Sequence, residues 1–398
     1  MTVDLAIIAA LVLAALVLFR PSVTNNSFWR ATVTPLASII GSGFLILGPV
    51  LDHGYGDLAP AVMAGLCAVA WMFGGAIRYN IAALHDGTDD TPLASRIETT
   101  ASWTLALAYF ISVAYYLNLF GAFAARIVSA DDPVLARSIT SIVMGIVLVI
   151  GWTRGFKALE RLEELSVSTK LAIIAGLLAG LAVFFVGKVS DNGLVINPVR
   201  STGWEGITLA FGLIVTVQGF ETSRYLRQLY DAETRIRSMR LAQIIASVIY
   251  VVYIVLMAYV FPVSDVPVSE TGVIDMTSRI SVILPVMLIV AALSAQFSAA
   301  IADTGGSGGL VHELTNGRVR QHLTYAALAA TGLSLTWIFN IFSIISYASR
   351  GFALYYGLQA MLAGIRALSR RAAWPRIAFY FTLAVLGLAM TILGRPVE

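Results

Sequence analysis

One feature limits what this chain can fold into more than any other. Mostly apolar runs of about 17 to 25 residues, each long enough to cross ~30 Å of hydrocarbon, follow one another along its whole length. They lie near 4–20, 31–51, 58–82, 100–126, 134–153, 165–187, 204–226, 240–262, 280–304, 321–338, 341–364 and 373–394. Short polar connections such as Asp86 to Thr91 and Ser264 to Thr271 separate them. In lipid every backbone polar group must be satisfied within the segment, so runs of this length read as helices. The expected class is an all-α integral membrane protein of about 12 transmembrane helices, a single transmembrane domain over 1–398. Composition agrees. Only 12% of residues are charged and 58% are hydrophobic, against roughly 25% charged in a soluble domain.

The first run, Leu5 to Phe19, has Asp4 before it and Arg20 after it, with no basic leader and no small-x-small cleavage site. It reads as a retained extra helix. Lys and Arg counting orients the rest. With the N-terminus outside, eighteen basic residues fall at cytoplasmic ends and six at outer ends, and Lys170 and Arg350 inside the membrane complete the 26. Both termini are therefore expected outside a plasma or inner membrane. The dispersed basic residues do not form a nucleic-acid face. Cys67 is the single cysteine, so no intrachain disulfide and no Cys-based metal site is expected. His53, His85, His312 and His322 show no ligand spacing, and no Walker, His-Glu-x-x-His or nucleophile-elbow motif occurs. Neither an enzyme nor a cofactor is expected.

Two runs are poorly suited to spanning. The second holds Ile40-Gly41-Ser42-Gly43 and Gly48-Pro49; the seventh holds Gln218-Gly219-Phe220-Glu221-Thr222-Ser223. Gly and polar residues at mid-membrane depth favour a local break, whose freed N–H and C=O groups can hold a ligand. The two runs are five segments apart, the spacing of a 5+5 inverted repeat over 31–187 and 204–364, followed by a final helix at 373–394.

Four stretches then resemble the amino acid–polyamine–organocation (APC) transporters. Ile39-Ile40-Gly41-Ser42-Gly43-Phe44 is similar to their first core helix. Gly155-Phe156-Lys157, Arg161 and Thr169-Lys170-Leu171 are similar to the entry of the fifth, Gly219-Phe220-Glu221 to the sixth, and Ser307 to Gly317 to the end of the eighth. The extra first helix resembles the sodium–solute symporters, which share the fold. Arg227, Tyr230 and further arginines stand where the family carries an acidic pair and Asn-Pro. The resemblance implies alternating access of a small organic solute, an amino acid or related carboxylate or amine, coupled to protons or by exchange. A sodium-coupled symporter and a transporter-like sensor are the other readings.

Individual residues carry further expectations. An unwound Gly41-Ser42-Gly43 offers N–H groups and a half-helix dipole to a carboxylate, whereas small residues at such a place otherwise serve close helix packing. A Gly43 left open in this way gives the space a ligand needs. Gln218, Gly219 and Thr222 are candidates for the opposite wall, Phe220 for a gate, and Glu221 for a helix-fixing partner. Tyr109, Ser112 and Tyr116 share one helical face and are candidate cavity lining. Lys170, roughly 5 residues or ~8 Å inside its helix, is an ionisable group in lipid that needs a cavity or a partner. Asp303 would lie at matching depth if its helix ran on to about Gly308, and in the inverted-repeat fold, where the fifth and eighth helices flank the first, an ion pair or proton-sharing pair with Lys170 is expected. The resemblance implies that a lysine at position 170 can stand where sodium sits in relatives. In the sodium reading Asp303, Thr304 and Ser298 hold the ion instead. Arg350 is a candidate gate or substrate contact, for example opposite Glu205.

Overall fold

A computed structural model describes residues 2–41, 43–85, 91–128, 132–153, 160–265 and 269–397, without the side chains of 160–165, Gln228 and Val263. Ser42, the 86–90 connection and the Gly155-Phe156-Lys157 motif lie outside the described residues.

The described chain is helical, with no strand among the described residues. Helices α1 (Thr2–Leu18) and the short α2 (Pro21–Thr24) precede α3 (Ser27–Ile39) and α4 (Gly43–Tyr55), the two halves of the second apolar run. Then come α5 (Ala59–His85), α6 (Pro92–Val128), α7 (Pro133–Thr153) and α8 (Glu160–Ser190). The seventh run is divided between α9 (Gly203–Gly212) and α10 (Thr222–Tyr225). After it follow α11 (Ala232–Ala258), α12 (Gly272–Ser278), α13 (Ile283–Leu314), α14 (Gln321–Ile338), α15 (Ile341–Ser369) and α16 (Trp374–Leu393). Seven helical stretches among the described residues are long and apolar enough to cross a bilayer unaided. Of the remaining runs, α1 has only 17 residues and the seventh is broken.

Side-chain caps fix several starts. Asn26 accepts from the Trp29 N–H at 3.1 Å, Asp231 from Thr234 at 2.7 Å and Asn340 from Ser343 at 2.8 Å, each satisfying a donor the helix leaves open. Helix α6 forms the centre, packed on α13 and α15, and its most apolar window is 72% buried. Small residues allow close approach elsewhere. On α8, Gly176 and Gly180 form a notch for Ile7 of α1, where a Cβ on Gly180 would sit 2.8 Å from the Ile7 side chain. A Cβ on Gly387 of α16 would lie 2.6 Å from the Gly357 backbone of α15.

Two boundaries differ from the sequence expectation for physical reasons. Helix α13 continues to Leu314 through Gly305-Gly306-Ser307-Gly308-Gly309, because tertiary contacts hold that stretch. Gly306 faces the Tyr109 ring and Gly308 the Tyr325 ring, too close for a side chain in the second case. The connection after α11 forms the short α12, whose Val273, Ile274 and Met276 are buried.

Ion pairs join several helix ends and connections. Arg224 pairs with Glu98, and Arg366 lies 3.9 Å from the same carboxylate. At the other end Arg126 pairs with Asp275 and Arg279 with Asp265.

Candidate substrate and coupling site

The first break begins at Ile40, whose backbone (φ −81°, ψ 54°) leaves the helix after its N–H has bonded to Leu36. Three of the last carbonyls of α3 then have identifiable partners. That of Leu36 takes the Ile40 N–H. That of Ala37, which a continuing helix would give to Gly41, accepts from Lys170 Nζ at 2.6 Å. That of Ile39 lies 2.9 Å from the Tyr250 hydroxyl. A cation at a helix C-terminus also suits the dipole there.

The second break is longer. After Gly212 come a tight turn at Ile214–Val217, an extended Gln218 (ψ 175°) and Gly219 at φ +116°. Only glycine adopts that last conformation without strain, and a Cβ there would lie 2.5 Å from the Ser38 backbone. Ser349 of α15 repairs the upper end: its hydroxyl donates to the Gly212 carbonyl at 2.6 Å and accepts the Val215 N–H at 3.1 Å.

The two breaks lie directly on each other. Tyr250 of α11 reaches both, with its hydroxyl 2.7 Å from the Thr216 carbonyl as well as near Ile39. One hydroxyl proton can serve only one of these carbonyls at a time. Beside the pair is a small void of about 10 Å³, lined by Ile39, Cys67, Val217, Gln243, Ser247 and Tyr250 among others. That is room for about one water.

Most of the expected site residues are brought together here. Gln218 donates through Nε2 to the Tyr116 hydroxyl at 2.7 Å, and its Oε1 is buried with no partner among the described residues. Glu221 Oε2 accepts from the Gly219 N–H at 2.9 Å and the Tyr356 hydroxyl at 2.8 Å, as a helix-fixing partner should, while Oε1 is unpartnered and buried. Phe220 stacks on Tyr356 with ring centroids 4.9 Å apart. Tyr109 meets Phe352 at 6.0 Å. Ser112 hydrogen-bonds to Asp303, tying α6 to α13.

Lys170 is 1% exposed. It lies ten residues beyond the start of α8 at Glu160, because α8 begins before the apolar run does. Asp303 is 3% exposed. The first is anchored on α3 and the second on α6. Thr304 and Ser298 donate to carbonyls of their own helix, Ala300 at 2.6 Å and Ala295 at 3.1 Å.

Three expectations are corrected. Gly43 does not leave room for a ligand: a Cβ there would fall 2.7 Å from Thr216 Cα, so its smallness serves the contact between the breaks. Thr222 does not offer its hydroxyl to the site but donates to the Gly219 carbonyl at 2.8 Å. Arg350 does not pair with Glu205. It donates twice to the Gly394 carbonyl, at 2.7 and 3.1 Å, capping the end of α16, and Glu205 is exposed. Sequence reasoning missed Tyr250, Ser349 and Tyr356, since each lies in an apolar run with nothing local to mark it.

A family model described as an APC superfamily transporter matches residues 21–394. The chain belongs to the APC superfamily. An uncharacterized protein of Aquifex aeolicus (strain VF5) is 35% identical over 403 residues, covering 99% of this chain and 98% of that one. The APC match makes the chain a multi-pass membrane transporter with a small-molecule substrate, and a transporter role accounts for its broken helices. The family match begins just after α1, whereas the alignment with the Aquifex relative covers 99% of this chain.

Proposed function

We propose that this APC transporter is a secondary active carrier of an amino acid or related small carboxylate or amine, working by alternating access around the two breaks. The observation that carries the reading is the close approach of the two breaks, Gly43 against Thr216 and Gly219 against Ser38 and Ile39, with backbone carbonyls beside them held by Lys170, Tyr250 and Ser349. The buried, unpartnered Gln218 Oε1 and Glu221 Oε1 suit a solute that donates hydrogen bonds. The two repeats, 31–187 and 204–364, would rock against each other about this contact.

Lys170 favours proton coupling or exchange over sodium coupling. Its ammonium already occupies a carbonyl at the end of a half-helix, the kind of ligand a sodium ion would need. Losing its proton would remove the charge that ties α8 to α3, and protonating Asp303 would alter its bond to α6. Uptake into proteoliposomes decides the matter. Accumulation should follow an imposed pH gradient, or internal exchange substrate, and ignore sodium. Accumulation driven by a sodium gradient would assign Asp303, Thr304 and Ser298 to an ion site. Ligand binding without any uptake would mark a sensor.

A further inference from the structure

Arg78 of α5 is a buried guanidinium with no counter-ion among the described residues. It is 6% exposed, and its side chain runs back along its own helix toward the membrane centre. There it donates to the Trp71 carbonyl at 3.3 Å, lies 4.5 Å from the Trp71 ring centroid, and donates to Gln243 Oε1 on α11. All these partners are neutral, and no carboxylate pairs with it among the described residues. On α11, three residues and so one helical turn before Gln243, the acceptor of Arg78, lies another arginine, Arg240. That side chain is exposed and has no hydrogen-bond partner among the described residues. Two like charges at a membrane boundary, one of them desolvated, raise each other's energy. The groove between α5 and α11 is thus electrostatically incomplete.

What flanks the two arginines indicates what completes it. Arg240, Ile244 and Val248 follow one another at four-residue spacing, and so share a face of α11. Ile244 and Val248 are 49% and 57% exposed, which in a membrane protein means facing acyl chains. Trp71, seven residues before Arg78 on the same face of α5, is 38% exposed. Cations therefore stand at the arginine-rich end of a strip of lipid-facing apolar surface.

We infer that this groove binds an anionic phospholipid, its phosphate between Arg240 and Arg78 and its chains along Trp71, Ile244 and Val248. A net negative headgroup is required. The choline of a zwitterionic lipid would place a third positive charge beside the two arginines.

The test uses the full chain in nanodiscs of phosphatidylcholine, with or without phosphatidylglycerol, and native mass spectrometry to count retained lipid. Phosphatidylglycerol should be retained preferentially and raise the melting temperature. Arg240→Gln should weaken its retention about fivefold, while Arg318→Gln, at the same end of the molecule, should not. Arg78→Gln should act in the same direction, and because Arg240 is exposed the test survives if the Arg78 variant does not fold. Equal effects of the Arg240 and Arg318 variants would overturn the inference, as would equal retention of the two lipids. Displacement by free glycerol phosphate at the same concentration would overturn the lipid assignment in favour of a soluble anion.

Discussion

At the residue scale, the breaks are held by a few side chains whose removal has distinct signatures. Tyr250→Phe keeps the ring but strips the hydroxyl from the Ile39 and Thr216 carbonyls. Leaving buried carbonyls unsatisfied costs about 1–3 kcal/mol, so unfolding in detergent should shift by that amount. Lys170→Ala should abolish gradient-driven accumulation while solute binding, read by thermal shift or calorimetry, persists. Binding lost together with transport would mean that Lys170 acts as a ligand or a strut. The glycines separate as well. Gly43→Ala drives a methyl into the Thr216 backbone and should destabilise by about 1–3 kcal/mol. At Gly41 a methyl would meet the Ser38 carbonyl at 3.0 Å and the Tyr116 ring at 4.0 Å, so Gly41→Ala should fold better and disturb solute binding more. Comparing their melting temperatures and affinities distinguishes packing from ligand contact.

At the scale of elements, α1 is a satellite. Its outward face is exposed at Leu5, Leu13 and Leu16, and Ile7 is its fully buried side chain. The superfamily match leaves it out. Gly180→Leu should fill the notch and displace α1 from α8, lowering the melting temperature while preserving the transport cycle. Transport lost with the helix displaced would show instead that α1 takes part in the cycle. Gly180 illustrates what a sequence conceals: nothing distinguishes it locally from Gly145 or Gly187, which have open space where a Cβ would go.

At the scale of the whole molecule, the arginine-rich end carries a latch across four helices. Arg224 of α10, 6% exposed, pairs with Glu98 of α6 and donates to Gln359 of α15 at 2.8 Å. Gln359 also accepts from Asn80 of α5 at 2.9 Å. Glu98→Gln would leave a buried guanidinium without its carboxylate, at a cost of up to about 3 kcal/mol because Glu98 retains some solvent contact. The population should move toward the state open at this end. Hydrogen exchange in α10 and at the start of α6 should rise while the opposite end stays protected. Unchanged exchange would mean the latch does not gate.

The sequence by itself determined the membrane class, the succession of helices and the two broken runs. Each is written in local composition: apolar length against bilayer thickness, glycine and polar residues at depth. It also placed Gly41, Gln218, Glu221, Lys170 and Asp303 on interrupted or charged stretches that the fold brings to the breaks. Only the tertiary structure decided what each does there. Ala37 needs Lys170 because a helix ends opposite it; Gly43 is small because Thr216 presses on it; Arg350 is spent on the end of α16. Tyr250 and Ser349 became site residues for the same reason. A hydroxyl in an apolar run has no visible task until folding sets an unpaired carbonyl beside it, and that pairing is a property of contacts far apart in the chain.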